Sequence, residues 1–339
     1  MIYLHVGLAR AGSSTIQRFL SVNSELLRQH GFDVPDMKLV NAAARYMRRE
    51  RREEHHKPAL ARLRDQLQSQ PAANYIISSE SFGYPVRDVA QQVRAILPSG
   101  DVRVIVYVRD FPAHIVSIYN QHTVMGRNTD DFDTIFERRD FSKSRWLESP
   151  WAGEFGLKAM RFRSLNDLKS GSLTADFAAT VGIDTIPGLD FLSGVRVRSS
   201  KNWMSVELAR LLAKVAAENG HTIPRAAFVK TIKILSRIML GRKLMGIRHP
   251  VQYLTPEQWR ELRDSYNRFI ASINAKFDGH SLPPLEDSPP PPRAFLPSFE
   301  TIPNEIKRRL ERVGSPKFQQ SHPDVPPAIL EAVAKRALE

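Results

Sequence analysis

The sequence predicts an α/β fold of three layers, a central parallel sheet flanked by helices, on three observations. Residues 2–6 (Ile-Tyr-Leu-His-Val) form a short apolar run that leads straight into a glycine-containing turn and a helical pattern. Residues 102–108 (Val-Arg-Val-Ile-Val-Tyr-Val) form a nearly continuous β-branched and aromatic run, again followed by a helical pattern. Residues 74–79 (Asn-Tyr-Ile-Ile-Ser-Ser) are a third such run, ending in hydroxyls and a carboxylate. Runs that are apolar throughout, without alternation, belong to strands covered on both faces, as in a parallel sheet between helices. A chain of 339 residues with 42% hydrophobic content can bury a core large enough for such a domain.

The first strand ends in Gly7-Leu8-Ala9-Arg10-Ala11-Gly12-Ser13-Ser14-Thr15. This is a phosphate-binding shape: glycine lets the backbone curl so that successive N–H groups face one anion, and the following helix adds its positive N-terminal end. The fold is therefore P-loop-like. A nucleotide triphosphatase loop, G-x-x-x-x-G-K-[ST], needs lysine directly after the second glycine, and here Ser13 holds that position. The cation instead precedes the glycine, at Arg10.

A cation before the glycine and hydroxyls after it resemble the 5′-phosphosulfate loop of sulfotransferases that use 3′-phosphoadenosine-5′-phosphosulfate (PAPS), commonly H-x-G-x-x-K-T-G-T-T-x-L-Q. His5, Gly7, Gly12 and Gln17 match, Ser13 and Ser14 replace threonines, Arg10 replaces the lysine and Ala11 replaces a hydroxyl residue. Arginine keeps the charge but is bulkier and does not donate a proton. The resemblance, to the bacterial, glycan-acting type, covers about residues 1–278. It implies that Arg10, Ala11, Gly12, Ser13, Ser14 and Thr15 bind the cofactor.

The strand at 102–108 ends in Arg109-Asp110-Phe111-Pro112, and Ser117 follows on the next helix. In the family, an arginine at a strand end and a serine eight positions later hold the 3′-phosphate, and Arg109 and Ser117 keep that spacing. A guanidinium and a hydroxyl closing on one phosphate form a charge-assisted clamp. Pro112 stands one place later than in many members, which reads as a slightly longer turn. Without a ligand, Arg109 would merely end the sheet and Ser117 would be an ordinary helix serine.

Relatives carry an acidic stretch at the end of their second strand, and Ser78-Ser79-Glu80 is similar to it. Ligands of open α/β sheets bind beyond the carboxyl ends of the strands, so Glu80 and the loop would share one crevice. The resemblance makes Glu80 the general base that takes the acceptor's proton, with Arg10 stabilising charge on the departing phosphate. The alternative is that Glu80 caps the next helix or pairs with a surface arginine. His5, inside a strand, reads as a buried residue that shapes the loop, and His122 as the other candidate base. A basic, Asn-containing segment near Arg198 lies close to the cofactor in relatives, which makes Arg198 a further candidate ligand.

The chain has no cysteine, which excludes disulfides and thiolate sites, and no uncharged run long enough to span a membrane. No signal-like segment opens it, so the expected location is cytoplasmic, where PAPS is available. A formal charge of +13 suits an anionic cofactor and also acidic lipid at the inner face of the membrane, giving peripheral contact there. No nucleic-acid module is recognisable, and none is expected as a partner. Residues 45–57 alternate in charge and read as a solvated helix, on which His55 and His56 diverge, so no metal site is expected.

Further along, 160–163 reads as a strand, 172–181 as a helix ending near Gly182, and 205–217 as a helix. Residues 228–248 form a basic amphipathic stretch, either core with flanking cations or a face for membrane or acceptor. Thr255-Pro256-Glu257 opens a helix to about residue 277. Beyond Gly279, prolines at 283–284 and 289–292 mark residues 279–339 as an extended linker and a tail with short helical pieces at 303–313 and 326–338. The resemblance implies transfer of a sulfuryl group from PAPS to a hydroxyl of a carbohydrate or glycolipid acceptor, without a metal. The other readings are a nucleotide kinase or other phosphotransferase, whose only magnesium-binding candidate is Asp110, and a non-catalytic protein that binds acidic glycans or membrane through its basic face.

Overall fold

The computed structural model describes residues 1–47, 54–69, 74–83, 87–138, 148–168, 172–192, 203–244, 253–277 and 281–287, with short pieces at 320, 327–329 and 331–332. In chain order the elements are β1 (Ile2–Val6), α1 (Ser13–Val22), α2 (Ser24–Gln29), β2 (Phe32–Asp33), α3 (Met37–Tyr46), α4 (Lys57–Ser69), β3 (Asn74–Ser79), α5 (Arg87–Ile96) and β4 (Val102–Val108). There follow α6 (Phe111–Val124), α7 (Phe132–Glu137), α8 (Glu148–Phe155), β5 (Met160–Ser164), α9 (Leu173–Val181), α10 (Trp203–Glu218), α11 (Arg225–Leu244) and α12 (Pro256–Lys276). The described residues fall into two compact units: Met1–His114, Phe141–Ser199 and Leu262–Asp287 form the first, and Ile115–Asp140, Ser200–Glu261 and Ser288–Glu339 the second.

The first unit holds a five-stranded sheet of order β2-β3-β1-β4-β5, and every pairing is parallel. All five residues of β1 are buried, because helices cover both faces of its sheet. On one face Tyr3, Ile76, Ile105 and Tyr107 pack against Ile16, Phe19 and Leu20 of α1 and Phe177 and Ala178 of α9. The opposite parity of the strands, with Leu4, Val6, Ile77, Val104, Val106 and Phe162, faces the other helices. There Ser79 bonds Asn41 of α3, Tyr75 bonds the Leu67 carbonyl of α4, and Phe162 meets Phe277 just past α12. A buried network ties β4 and β5 to α9: the Tyr107 hydroxyl donates to Asp176 Oδ1 at 2.7 Å and Arg163 pairs with both Asp176 oxygens. Burial and this acceptor push the Tyr107 phenol well above its ordinary range.

Local signals explain the element ends. Gly182, in the left-handed conformation at φ 81°, closes α9, and its N–H and that of Ile183 both donate to the Ala178 carbonyl. Thr255 begins α12 through a reciprocal capping box closed by Gln258: Gln258 N donates to Thr255 Oγ1 at 3.1 Å, and Thr255 N to Gln258 Oε1 at 2.9 Å. Residues 281–287 lie along α12, where Asn267 brackets the backbone of Leu285 and Asn274 that of Leu282, each through an N–H and a carbonyl. Seven helical residues rise about 10.5 Å and three extended residues span about 10 Å, so the spacing of the two asparagines matches that of the two leucines they hold.

The second unit is helical. In it Tyr119 packs edge-on against Phe132 and Tyr253, and Arg210 holds the buried Glu207 at 2.8 Å. In α11, Phe228 and Ile232 are buried while Lys230 and Lys233 are exposed, so this part of the basic stretch is core with flanking cations. No described helix is long and apolar enough to cross a membrane.

Two expectations need correction. Of the solvated helix expected over 45–57, residues 48–53 lie outside the described residues; among the described ones α3 ends at Tyr46, and a 3₁₀ turn, not an α-helix, stands at Glu54–His56 before α4. Buried Val40, Ala43 and Ala44 set the extent of α3, with Asp36 capping its start, so an apolar stripe decides this helix and the charge pattern does not. The rings of His55 and His56 do not diverge, since their centroids are 3.9 Å apart, a consequence of freely rotating side chains that backbone spacing does not foretell. The strand before Glu80 is third in the chain, after β2, a two-residue strand that the sequence reading did not include. Arg198, the 303–313 piece and most of the tail lie outside the described residues.

Candidate functional site

The loop after β1 is built by close contacts. A Cβ on Gly7 would stand 2.0 Å from Ser13 Oγ, so only glycine fits there. Ser13 Oγ donates to the Leu8 carbonyl at 3.2 Å, and Ala11 N to the same carbonyl at 3.1 Å. Arg10 within this turn is left-handed at φ 68°, which costs an ordinary residue roughly 1 kcal/mol. Two bonds hold it: the His114 ring donates from Nε2 to the Ala9 carbonyl at 2.8 Å, and Arg109 Nη1 donates to the Arg10 carbonyl at 3.2 Å. A carbonyl only accepts, so His114 carries its proton on Nε2. Ala11 is fully buried, its methyl in the core beside Ile16 and Phe19. Gly12, left-handed at φ 84°, precedes α1 and offers it no side-chain cap. The first N–H groups of a helix have no intrahelical acceptor, so this end is suited to an anion.

At the end of β4, Asp110 caps α6: its Oδ1 accepts Ala113 N at 2.7 Å, and its carbonyl accepts His114 N at 2.9 Å. α6 begins at Phe111, two residues after Arg109, and Pro112 takes a first-turn position whose N–H is not needed. Phe111 anchors the corner against Tyr266 and Phe269, at 5.4 and 5.6 Å between ring centroids. Burial lowers the pKa of the Arg109 guanidinium and the neighbouring Asp110 carboxylate opposes that shift.

At the end of β3, Ser79 is a hub. Its carbonyl accepts Gly7 N at 3.3 Å, its hydroxyl donates to Asn41 Oδ1 at 2.8 Å, and the same oxygen accepts Ser81 N at 3.2 Å. Ser79 therefore supplies the cap, and Glu80 is released from that duty. Residues Glu80–Gly83 make a 3₁₀ turn pressed onto the loop, where a Cβ on Gly83 would overlap the Gly7 carbonyl at 1.8 Å. Phe82, buried against Trp151, fixes the turn from below. Glu80 is half-buried, and its carboxylate makes no hydrogen bond or ion pair with any described residue. His5 lies in the core between Tyr107 and Phe177, with Nδ1 2.8 Å from Ser78 Oγ. Burial brings its pKa down to about 3, so its imidazole is neutral.

These three strand ends open on one crevice of about 540 Å³ within the first unit. Its walls include Arg10, the α1 N-terminus from Gly12 to Thr15, Glu80 and Arg109. The sheet order explains its position: the chain leaves β1 toward β2 and β3 on one side and leaves β4 toward β5 on the other, so the connections part above the β1–β4 pair. Asp110, Ala113, Asn166 and the apolar Leu165, Leu168 and Leu173 complete the walls. Asn166 was within reach of the sequence, since it stands two residues past the end of β5 and strand ends line such crevices. His114 and Gly83 were not, because each matters through a loop far away in the chain. Ser117 is buried on α6, and His122 is in the last turn of that helix, both in the second unit. Among the described residues no group of three or more His, Asp or Glu side chains converges as a metal site.

No protein-family model and no curated protein matches this chain. Among solved structures it is similar to a crystal structure titled as a sulfotransferase from Alicyclobacillus acidocaldarius, at 15% identity over 67% of this chain and 97% of that one, with a TM-score of 0.38.

Proposed function

We propose that this chain is a PAPS-dependent sulfotransferase that transfers a sulfuryl group to a hydroxyl of a carbohydrate or glycolipid. The observation that carries this reading is the crevice itself, where an uncapped helix N-terminus, two guanidinium groups and a carboxylate that engages no described residue meet at the ends of adjacent parallel strands. The loop and α1 suit the 5′-phosphosulfate. Arg109, with Ser117 eight residues on, suits the 3′-phosphate as a charge-assisted clamp. Leu165, Leu168 and Leu173 give the crevice apolar wall surface.

In this mechanism the acceptor oxygen attacks sulfur in line, its proton passes to Glu80, and the bond from sulfur to the phosphate oxygen breaks. Negative charge then builds on the 5′-phosphate of the departing 3′-phosphoadenosine-5′-phosphate. The Arg10 guanidinium and the N–H groups of α1 stabilise it without a proton transfer, since arginine stays charged. A kinase would need a lysine where Ser13 stands and a carboxylate for magnesium, whereas Asp110 is occupied in capping α6.

Calorimetric titration with 3′-phosphoadenosine-5′-phosphate, compared with ATP and Mg²⁺, tests the cofactor class, and a sulfate-transfer assay over a panel of glycans tests the chemistry. The expected result is binding of the 3′-phosphorylated nucleotide alone and transfer to a hydroxyl. Tighter binding of ATP with Mg²⁺ overturns the reading.

A further inference from the structure

We propose that His114 is a positioning residue that sets the conformation of the phosphate loop by holding one peptide group. The inference rests on the reading of the crevice as a phosphosulfate site. Leu8 to Ala11 form a β-turn closed by the Ala11 N to Leu8 carbonyl bond at 3.1 Å. Arg10, third in the turn, has φ 68°, while Ala9 is not among the residues of positive φ, which makes the turn type II.

Types I and II differ by a flip of the central peptide, here the one joining Ala9 to Arg10, and type II calls for glycine at the third place. Arg10 is not glycine, so the local sequence favours the flipped form. His114 opposes it: its Nε2–H bonds the Ala9 carbonyl, the oxygen of that central peptide, at 2.8 Å. Because the peptide is planar and trans, fixing the oxygen also fixes the Arg10 N–H on the opposite side. The Arg109 bond to the Arg10 carbonyl holds the next peptide in the same way. The direction in which the Arg10 side chain leaves the loop follows from these two peptides. His114 itself stands one helical turn into α6, on the corner that Asp110 caps and Phe111 anchors, so the tether is mounted on a rigid support.

The test uses the full chain with His114→Ala, His114→Gln and His114→Asn. Glutamine places an amide donor near the position of Nε2, and asparagine is too short to do so. Hydrogen–deuterium exchange of the peptide covering residues 7–13 should quicken about tenfold in the alanine and asparagine variants and return toward wild type in the glutamine variant. The affinity for 3′-phosphoadenosine-5′-phosphate should fall about tenfold and recover in parallel. In an Arg10→Gly background, where the third residue of the turn has no preference to overcome, His114→Ala should leave exchange nearly unchanged. Unaltered exchange in His114→Ala, no rescue by glutamine, or an equal effect in both backgrounds overturns the proposal. A wild-type chain that does not bind the nucleotide overturns the functional reading instead, and the exchange measurements still decide the tether.

Discussion

Arg109 and Glu80 stand at the ends of the two strands that flank β1, and the fold holds them in opposite ways. Arg109 is tied into the architecture: it donates to the Arg10 carbonyl, and the next residue caps α6. Glu80 has its backbone pinned by the Ser79 hub and the Gly83 contact, yet its carboxylate engages no described residue. One charge is part of the scaffold and the other is presented by it. A change at Arg109 should therefore alter shape and chemistry together, and a change at Glu80 should alter chemistry alone.

The largest expected effect tests the presented charge. Glu80→Gln keeps the shape and removes the proton acceptor, so single-turnover transfer should slow by roughly 100- to 10,000-fold. Nucleotide affinity and thermal midpoint should stay near those of wild type. Near-normal turnover in the folded variant would move the search for the base to His122.

Next is the support beneath that carboxylate. Gly83→Ala sets a methyl against the Gly7 carbonyl, and the overlap involves backbone on both sides, so about 3 kcal/mol of stability should be lost. Urea denaturation measures this, with Ser81→Ala as a control that should change little.

A smaller effect sharpens the other half of the comparison. Arg109→Ala and Ser117→Ala should each weaken the 3′-phosphorylated nucleotide by roughly 10- to 100-fold relative to its analogue without that phosphate. Only the arginine change should also loosen the loop and lower the thermal midpoint, since only Arg109 bonds the Arg10 carbonyl. Equal losses for both nucleotides would remove the clamp.

The smallest effect belongs to the strand between the two charges. His5 titrates at about 3 when folded and near 6.5 when unfolded, so below pH 6.5 the unfolded chain takes up a proton that the folded chain refuses. Stability is thus full above that pH and falls as pH drops, by about 2 kcal/mol between pH 7 and pH 5. Urea midpoints at the two pH values should show the loss, and His5→Asn should flatten it.

Much of the fold was legible because its signals are local. The apolar runs of β1, β3 and β4 announced strands covered on both faces, and the glycines and hydroxyls after β1 announced the turn that leads into α1. Thr255 and Gly182 marked helix ends for the same reason: a cap is written within a few residues. β2 was illegible because two residues carry no period. That the Ala11 methyl lies in the core was not legible either, since residue type alone does not tell which atoms of a turn face inward.

By itself, then, the sequence determined four of the five described strands, the residue types of the loop and the kinds of charge at the ends of β3 and β4. Only the tertiary structure decided that β3 and β4 are the two neighbours of β1, which brings Glu80 and Arg109 to one crevice. It alone joined His114 to Ala9, Ser79 to Asn41 and Gly83 to Gly7. The physical reason is that hydrophobic pattern encodes burial and period but not partners: backbone hydrogen bonds of a parallel ladder are alike for any pair of strands. Which strands meet is decided by the packing of the whole core, and with it which side chains meet across the crevice.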